Sequence, residues 1–589
     1  MARRNTVMQK PKDSRRAFGR MLSFLKPFRL TIFFVAALCI ISNLLSLLGP
    51  HLAGSAINEA AAGKGLVNFG AVGRCAAQML ACYAASSLLT ISINAIMMRM
   101  SKHVAGSLRK SVFDKLMRLP VGFFDRNQAG DIISRVSYDI DVISTCLATD
   151  AVSILTSTVT VVGSVAMMIS ISLPLSAVVL FSVPASVIYA SQMRKVTQPR
   201  FAKRSRAYGT MNGFTEEMLS GQKTIRAYAY GTRVEERFDR VNTNAADSYY
   251  DADRYGVTIG PTMGTINNIT LSLIAMIGSA LFMSGFITLG SISSFVLYSR
   301  KFSGPINEIA NIINELFSAL AAAERVFALL DEEEELTDRP NALPLGLVHG
   351  DVKTEHVVFG YDADRTIIHD LSMRADAGML IAIVGPTGAG KTTIINLLMR
   401  FYDVNSGSIT VDGTDVRDCT RRSLRSSYAM VLQDTWVFRG TIYDNIAYGS
   451  ENATEEEVIA AAKAAHIHPF IMRLPNGYNT VISEDGGNIS KGQKQLLTIA
   501  RAMLYDAHML ILDEATSNVD TSTEREIQQA MRRIMDGKTC FVIAHRLSTI
   551  KNADLILVLE SGDVVEQGTH RELMDKRGAY YRLYNSQFE

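Results

Sequence analysis

The sequence has few cysteines, and their spacing is not that of a metal site. The six are Cys39, Cys75, Cys82, Cys146, Cys419 and Cys540, and none belongs to a C-x-x-C pair. Scattered cysteines exclude a small disulfide-stapled secreted scaffold and a zinc site of the usual spacing. We therefore expect reduced, incidental cysteines in a protein whose soluble part faces the cytoplasm.

The sequence also lacks an excess of charge of either sign, with 60 Lys and Arg against 57 Asp and Glu. Bulk charge therefore gives no reason to expect a nucleic-acid partner, and we expect none. The mean hydropathy of +0.13 is high for a soluble protein and low for one wholly embedded in a membrane. This value favours a chain that is part membrane domain and part soluble domain.

Charge is absent altogether from four long intervals: residues 30–58, 75–98, 151–193 and 255–299. A helix needs about 20 residues to cross a hydrocarbon core of about 30 Å. The first two intervals hold one span each, and the last two hold two each, with turns near Leu173-Pro174 and within 285–290. Six transmembrane helices are predicted, because buried core helices of a soluble protein rarely stay uncharged for this long.

Basic residues concentrate in alternate loops, with eight Lys and Arg in residues 99–148 and twelve in 194–254. The opposite side has only Lys64 and Arg74. The positive-inside rule then places the N-terminus, both long loops and the second half of the chain in the cytoplasm, as in a multi-pass protein of the cell membrane. The basic tail is read as a topology signal, with a lipid-binding site as the alternative.

Two charges, Arg300 and Lys301, fall about 10–15 residues into the sixth predicted span. A cation near mid-membrane is costly and is expected to face a pathway or a polar partner. We expect one of the two to line a transport pathway. Bonding to a neighbouring helix is the alternative, and the sequence does not decide which residue takes which role.

The composition changes after the sixth span. We place a membrane domain at residues 1–325, a linker at 326–344 and a soluble domain at 345–589. The linker contains the acidic run 331–335, which we expect to be a solvated connector. Beyond it, apolar strands such as "MLIAIVG", "HMLILDE" and "TCFVIAH" alternate with helices, a pattern typical of an α/β domain.

The segment "IAIVGPTGAGKTTIINLL" reads as a strand, a glycine loop and a helix, the context required for a P-loop. Glycines let backbone N–H groups approach phosphates, and a helix N-terminus favours an anion. Lys391 is expected to reach the outer phosphates and Thr392 to bind Mg²⁺. The residues expected to bind the nucleotide here are Gly385, Gly388, Gly390, Lys391, Thr392 and Thr393.

The strand "MLILDEAT" ends in two carboxylates. After a P-loop, Asp513 is expected to hold Mg²⁺ through water, and Glu514 to polarise the attacking water as a general base.

On these motifs the soluble half resembles an ABC transporter nucleotide-binding domain. Over essentially its whole length the chain resembles an ABC exporter half-transporter. The implied fold is an α-helical polytopic membrane domain with six transmembrane helices of exporter type, followed by an α/β P-loop NTPase domain. The resemblance implies ATP and Mg²⁺ as cofactors. It also assigns roles to single residues: Gln433 as a catalytic and Mg²⁺-sensing residue, His545 as the switch histidine, Asp520 in the D-loop and Tyr361 against adenine.

The resemblance also explains "NISKGQKQLL", which occupies the place of the family's LSGGQ signature. Ser490, Gly492 and Gln493 are implied to clamp ATP bound to the P-loop of a second subunit. Lys491 replaces the first glycine of the motif and Ile489 its leucine. The family's coupling helices are expected at residues 134–144 and 213–223. From the short tail before the first span, we expect no peptidase domain of the kind that peptide-processing exporters carry.

One nucleotide-binding domain per chain implies a dimer. Because only the signature departs from the family pattern, we favour a heterodimer over a homodimer, with this chain similar to the competent-glutamate subunit of heterodimeric bacterial multidrug exporters. The predicted function is ATP-driven export of an unknown, drug-like or amphipathic substrate across the lipid bilayer. The alternatives are a lipid or peptide flippase of the same architecture and a membrane-anchored ATPase that transports nothing.

Overall fold

The computed structural model describes residues 14–61, 63, 67–362, 364–433, 435–450, 452–483, 486–513, 521–544 and 547–588. They divide into two compact units. The first comprises the described residues up to Leu119 together with 127–334, and the second comprises 120–126 with those from Glu335 onward. All six cysteines are free thiols, as the sequence indicated.

The first unit consists of long helices. They are α1 (Ser14–Ser23), α2 (Arg29–Ala60), α3 (Phe69–Leu116), α5 (Ala129–Ser134), α6 (Ile140–Thr145), α7 (Ala151–Ile171), α8 (Leu173–Ser220), α9 (Gln222–Ala227), α10 (Gly231–Met283) and α11 (Leu289–Leu330), with α4 (Val121–Arg126) belonging to the second unit. Two π-helical segments, Arg135–Asp139 and Cys146–Asp150, join α5, α6 and α7 into one continuous helix.

Among the described residues, five continuous helical segments are long and apolar enough to cross a membrane. They are Lys26–Ala60, in which the 3-10 turn Lys26–Phe28 precedes α2, and Phe69–Leu116, Ala129–Ile171, Leu173–Ser220 and Gly231–Met283. The sixth predicted span lies in α11, where Arg300 and Lys301 lower the hydropathy. Both predicted hairpin turns are confirmed, since α7 ends at Ile171 with α8 starting at Leu173, and α10 ends at Met283 with α11 starting at Leu289. The Thr288 hydroxyl caps α11 by accepting from the Ser291 N–H at 3.2 Å.

A buried apolar cluster holds α11 against α2, α7, α8 and α10, and its largest side chains are Phe295 and Tyr298. The Tyr298 hydroxyl donates to the Leu47 carbonyl at 2.6 Å. One turn further along α11, the Lys301 ammonium donates to both the carbonyl and the hydroxyl of Ser46, each at 2.6 Å. Lys301 therefore bonds a neighbouring helix, which was the alternative to a place in the pathway.

The second unit contains a ten-stranded sheet. Its strands are β1 (Val352–Phe359), β2 (Ile368–Ala375), β3 (Leu380–Val384), β4 (Ser406–Val411), β5 (Thr414–Asp415), β6 (Tyr428–Val431), β9 (Met509–Asp513), β10 (Thr539–Ile543), β11 (Leu555–Glu560) and β12 (Asp563–Gly568), while β7 (Gly440–Thr441) pairs separately with β8 (Val481–Ile482). The strand order is β5-β4-β1-β2-β12-β11-β3-β10-β9-β6.

The strands β11, β3, β10, β9 and β6 pair in parallel, whereas β1, β2, β4 and β5 pair in antiparallel fashion. Every residue of β10 is buried, as expected for a parallel strand covered on both faces. The helices of this unit are α12 (Lys391–Leu398), α13 (Arg421–Ser426), α14 (Ile442–Ala447), α15 (Glu455–Ala464), α16 (His468–Ile471), α17 (Lys491–Tyr505), α18 (Thr521–Met535), α19 (Leu547–Lys551), α20 (His570–Lys576) and α21 (Ala579–Phe588).

The two units divide inside the predicted linker, and the contradicted expectation concerns the acidic run within it. Helix α11 continues to Leu330, and the units divide after residue 334, within the predicted linker. The acidic run is not merely solvated: the Glu335 carboxylate pairs with Arg425, and Asp331 pairs with Arg20. A one-dimensional charge pattern shows an acidic run but not its basic partners, which lie about 90 and 311 residues away in the chain.

The first expected coupling segment, 134–144, was placed too far along the chain. It lies in the first unit, where Asp139 is buried and accepts two hydrogen bonds from Arg325 of α11, at 2.8 and 2.6 Å. The segment between the membrane helices that packs as part of the second unit is α4. Its Gly122 lies so close to Tyr402 that an added Cβ would be 2.9 Å from a ring carbon, and the Tyr402 hydroxyl donates to Asp125.

Candidate functional site

The parallel strands bring the predicted site residues to one edge of the sheet. Strand β3 ends at Val384 and continues into the glycine loop, while β9 ends at Asp513 itself. Strand β6 ends at Val431, two residues before Gln433. Because carboxyl ends of parallel strands meet at the same edge, a crevice there is the usual ligand position in such sheets.

The glycine loop has the backbone conformation that its sequence predicts. Gly388 and Gly390 have φ angles of +84° and +103°, in the left-handed region that other residues rarely adopt. A Cβ at Gly390 would also lie 2.8 Å from the side chain of Ile368. Gly390 precedes the first turn of α12, so the orphan N–H groups at the start of that helix are presented beside the loop.

Lys391 lies at the first position of α12. Its ammonium donates to the carbonyl oxygens of Gly385 at 2.7 Å and Pro386 at 3.0 Å. Burial lowers the pKa of Lys391, and the nearby negative charge of Asp513 opposes that shift. The lysine is thus bonded to the loop and lies within electrostatic reach of the carboxylate at the end of β9. Next to it, Thr392 is exposed and Thr393 is buried.

Oxygen ligands suited to Mg²⁺ are present near the loop. Thr392 offers an exposed hydroxyl, Asp513 a half-buried carboxylate and Gln433 an exposed amide. In the described part of the chain there is no group of three or more His, Cys, Asp or Glu side chains that would form a metal cage. Mg²⁺ at phosphate sites is usually held by few protein ligands together with water and the phosphates, so these residues fit the ion.

Tyr361 lies beyond β1 with 43% of its surface exposed. Its ring meets Phe359 and Tyr402 edge-on, with centroids 5.0 and 4.9 Å away. Its hydroxyl lies 3.2 Å from the Thr393 hydroxyl and accepts from the Asn396 amide at 3.2 Å. The ring is therefore fixed next to the glycine loop with a free surface that a flat base can stack on.

The signature segment forms the start of α17. Ser490 is the N-cap: its hydroxyl accepts from the Gln493 N–H at 3.2 Å, and the Gln493 side chain accepts from the Ser490 N–H at 2.9 Å. The pattern S-x-x-Q in the sequence predicts such a reciprocal capping box at a helix start, and the sequence analysis did not use it. Gly492 is buried, and Lys491 is exposed at the first helical position.

Three expected site residues, Glu514, Asp520 and His545, lie outside the described residues. The structure also adds one residue that sequence reasoning missed. Tyr402 contacts both Tyr361 and α4, and no local motif marks it, because its role depends on Asp125, 277 positions away. Burial is the larger cause and the hydrogen bond to Asp125 the smaller cause of a raised pKa of the Tyr402 hydroxyl, which therefore remains a donor at neutral pH.

Comparison with known proteins matches both units to described families. Residues 32–306 match the ABC transporter transmembrane region, and residues 368–517 match the family described as ABC transporter. An uncharacterised ABC transporter ATP-binding protein of Bacillus subtilis, YfiC, is 42% identical over 98% of this chain and 96% of its own length. The fatty acid ABC transporter ATP-binding/permease protein of Mycobacterium bovis is 44% identical over 88% of this chain and 82% of its own.

A solved structure of a bacterial Atm1-family ABC exporter with ATP bound is also similar to this chain. It has a TM-score of 0.74 and 30% sequence identity, and the match covers 96% of this chain and 99% of that one.

Proposed function

We propose a function from the premise that the chain belongs to the ABC transporter family. It is an ABC transporter ATPase with a multi-pass helical membrane domain and performs ATP-driven export. We propose that it is one half of a dimeric exporter, with the membrane domain at residues 1–325, a linker at 326–344 and the nucleotide-binding domain at 345–589 facing the cytoplasm. The observation that carries the proposal is the convergence of the glycine loop, Lys391 and Asp513 at one sheet edge in a chain that also has membrane-spanning helices.

In this proposal the loop N–H groups and Lys391 bind the phosphates of ATP, and Tyr361 stacks on adenine. Thr392, Asp513 and Gln433 would hold Mg²⁺, which neutralises charge on the phosphates when it is bound. Glu514 polarises the attacking water, and His545 contacts the outer phosphate. Asp520 and the remaining loop residues, Gly385, Gly388, Gly390 and Thr393, complete the site within the chain.

The second subunit supplies the rest of each ATP site. Ser490, Gly492 and Gln493 lie at the start of α17, where helix N–H groups favour an anion. We propose that this segment closes on ATP held by the partner's glycine loop. Closure of the two ATPase domains and their reopening after hydrolysis then drive alternating access in the membrane domains.

The substrate proposed is an amphipathic molecule rather than a polar solute. The name of the relative from Mycobacterium bovis, a fatty acid transporter, supports a substrate with an acyl chain. A lipid flippase of the same architecture fits the same observations.

Glu514→Gln is expected to reduce ATP turnover to below a tenth of wild type while ATP still binds, because a general base contributes about 10²–10⁴ in rate. The measurement is ATPase activity and nucleotide affinity of the purified dimer, with wild type prepared in parallel. Retention of more than a tenth of the turnover would remove Glu514 from this role.

Uptake of an amphipathic dye into inside-out vesicles tests transport itself, since an anchored ATPase would hydrolyse ATP and accumulate nothing.

A further inference from the structure

Several polar side chains of the membrane-spanning helices have no bonding partner in the described part of the chain. Among them are Arg300 on α11 and Asn268 on α10, and both are exposed. The neighbouring Lys301 is satisfied by Ser46, as described above. A guanidinium and an amide that face hydrocarbon without a partner are costly, so these two groups are expected to face water or a polar ligand.

Helical geometry places the two side chains on the same flank of the α10–α11 pair. The Ser303 hydroxyl donates to Asn267 Oδ1 at 3.5 Å and marks where the helices meet. The helices run in opposite directions. Going from Ser303 back to Arg300 on α11 and from Asn267 on to Asn268 on α10 therefore leads towards the same end of the helix pair. The two steps cover about 4.5 Å and about 1.5 Å along the helix axes. With about 100° of rotation per residue, both steps turn to the same side of the pair.

That flank is open on α11. Gly304 lies one turn from Arg300, and a Cβ added there would meet nothing within 4 Å. A further turn on, Glu308 is exposed and its Oε2 accepts from the Ser157 hydroxyl at 3.2 Å. Glu308 lies about 12 Å from Arg300 along the helix, so its charge disfavours an anion at its own depth and leaves Arg300 as the favoured position.

A groove of about 340 Å³ runs along α10 and includes Asn268. It is lined by Thr265, Asn268, Ile269, Ser272, Leu273 and Met276. The hydroxyls of Thr265 and Ser272 donate to carbonyls of their own helix. These two residues therefore present little unsatisfied polarity, and Ile269, Leu273 and Met276 offer an apolar wall suited to an alkyl chain.

We propose that Arg300, assisted by Asn268, binds the oxyanion head group of an amphipathic substrate whose alkyl chain lies along the groove on α10. A guanidinium bonds a carboxylate or phosphate through two parallel N–H groups, and an amide N–H₂ supplies a further donor. This assignment rests on the proposed export function and specifies the substrate class of the membrane domain.

The test compares ligands of one chain length on the dimer purified through a tag on this chain, in phosphatidylcholine nanodiscs at pH 8. Binding of radiolabelled dodecanoate is measured by scintillation proximity, with dodecanol and dodecyl phosphate as competitors. Wild type is expected to bind dodecanoate at least tenfold more tightly than dodecanol. Arg300→Gln is expected to reduce that ratio to below twofold, and Asn268→Leu to reduce it about threefold. Tighter binding of dodecyl phosphate than of dodecanoate supports the same site with a phosphate head group.

Lys301→Gln is the matched control, since it removes an adjacent cation that bonds a helix, and it should leave the ratio unchanged. The assignment is overturned if wild type binds the alcohol as tightly as the acid, or if Arg300→Gln keeps the wild-type ratio. Basal ATPase activity in the same samples separates this result from the proposed function. Hydrolysis without any acid preference refutes only the head-group site, whereas a folded dimer that does not hydrolyse ATP refutes the export function itself.

Discussion

At the residue scale, variants of Tyr361 can distinguish the contribution of ring stacking to ATP binding from that of the hydroxyl. Its hydroxyl is tied to Thr393 and Asn396, whereas the free part of its ring is available to a base. Tyr361→Ala is expected to weaken ATP binding by about 1 kcal/mol, or about fivefold, through lost stacking. Tyr361→Phe keeps the ring and should change the affinity less than twofold. The measurement is equilibrium binding of ATP, and equal affinities for the Ala variant and wild type would place adenine elsewhere.

Single residues also show where sequence reasoning ends. The left-handed glycines of the phosphate loop were predictable, because the requirement for glycine is local to the backbone. The different fates of Arg300 and Lys301 were not predictable. The Lys301 ammonium bonds to Ser46, about 255 positions away in the chain, whereas the Arg300 guanidinium has no bonding partner among the described residues. Adjacent residues on a helix point about 100° apart, and only the packing of α2 against α11 decides between them.

At the element scale, α4 gives a prediction with a matched control. Gly122→Ala would push against the Tyr402 ring, whereas a Cβ at Gly130 of α5 would meet nothing within 4 Å. We expect Gly122→Ala to retain basal ATPase activity but to reduce its stimulation by substrate more than threefold, because the contact between α4 and Tyr402 is displaced. Gly130→Ala should retain full stimulation. Equal stimulation in both variants would show that α4 does not transmit the signal.

The elements differ in how far the sequence foretold them. Charge-free intervals located the spans and both hairpin turns, because hydrophobicity and turn residues act along the chain. The first coupling segment was wrongly predicted at 134–144, because the contact that identifies α4 joins Gly122 to Tyr402, about 280 residues further along the chain. Likewise, the apolar strands of the second unit were recognisable, but the antiparallel β1, β2, β4 and β5 at one side of the sheet were not.

At the scale of the whole molecule, the altered signature predicts the composition of the dimer. Ser490 and Gln493 form an intact capping box, so the fold of the α17 start is preserved, and the departure is the exposed Lys491 at the first helical position. A side chain there stands where a backbone N–H group of the signature is proposed to approach a phosphate. In a homodimer both ATP sites would contain this lysine, whereas in a heterodimer one site would pair the P-loop of this chain with an unaltered signature.

We therefore expect the chain to work with a second half-transporter whose residue matching Glu514 is not glutamate. Expressed alone, it should show weak ATPase activity, because both composite sites carry the altered signature. Lys491→Gly should raise the activity of that homodimer several-fold, whereas Lys576→Gly, which removes a lysine near the end of α20, should not. The measurements are ATPase rates and the subunit composition of the assembly purified from its native membrane by mass spectrometry. A stable homodimer with vigorous, substrate-stimulated hydrolysis would instead show that Lys491 points away from the phosphate and that one kind of chain suffices.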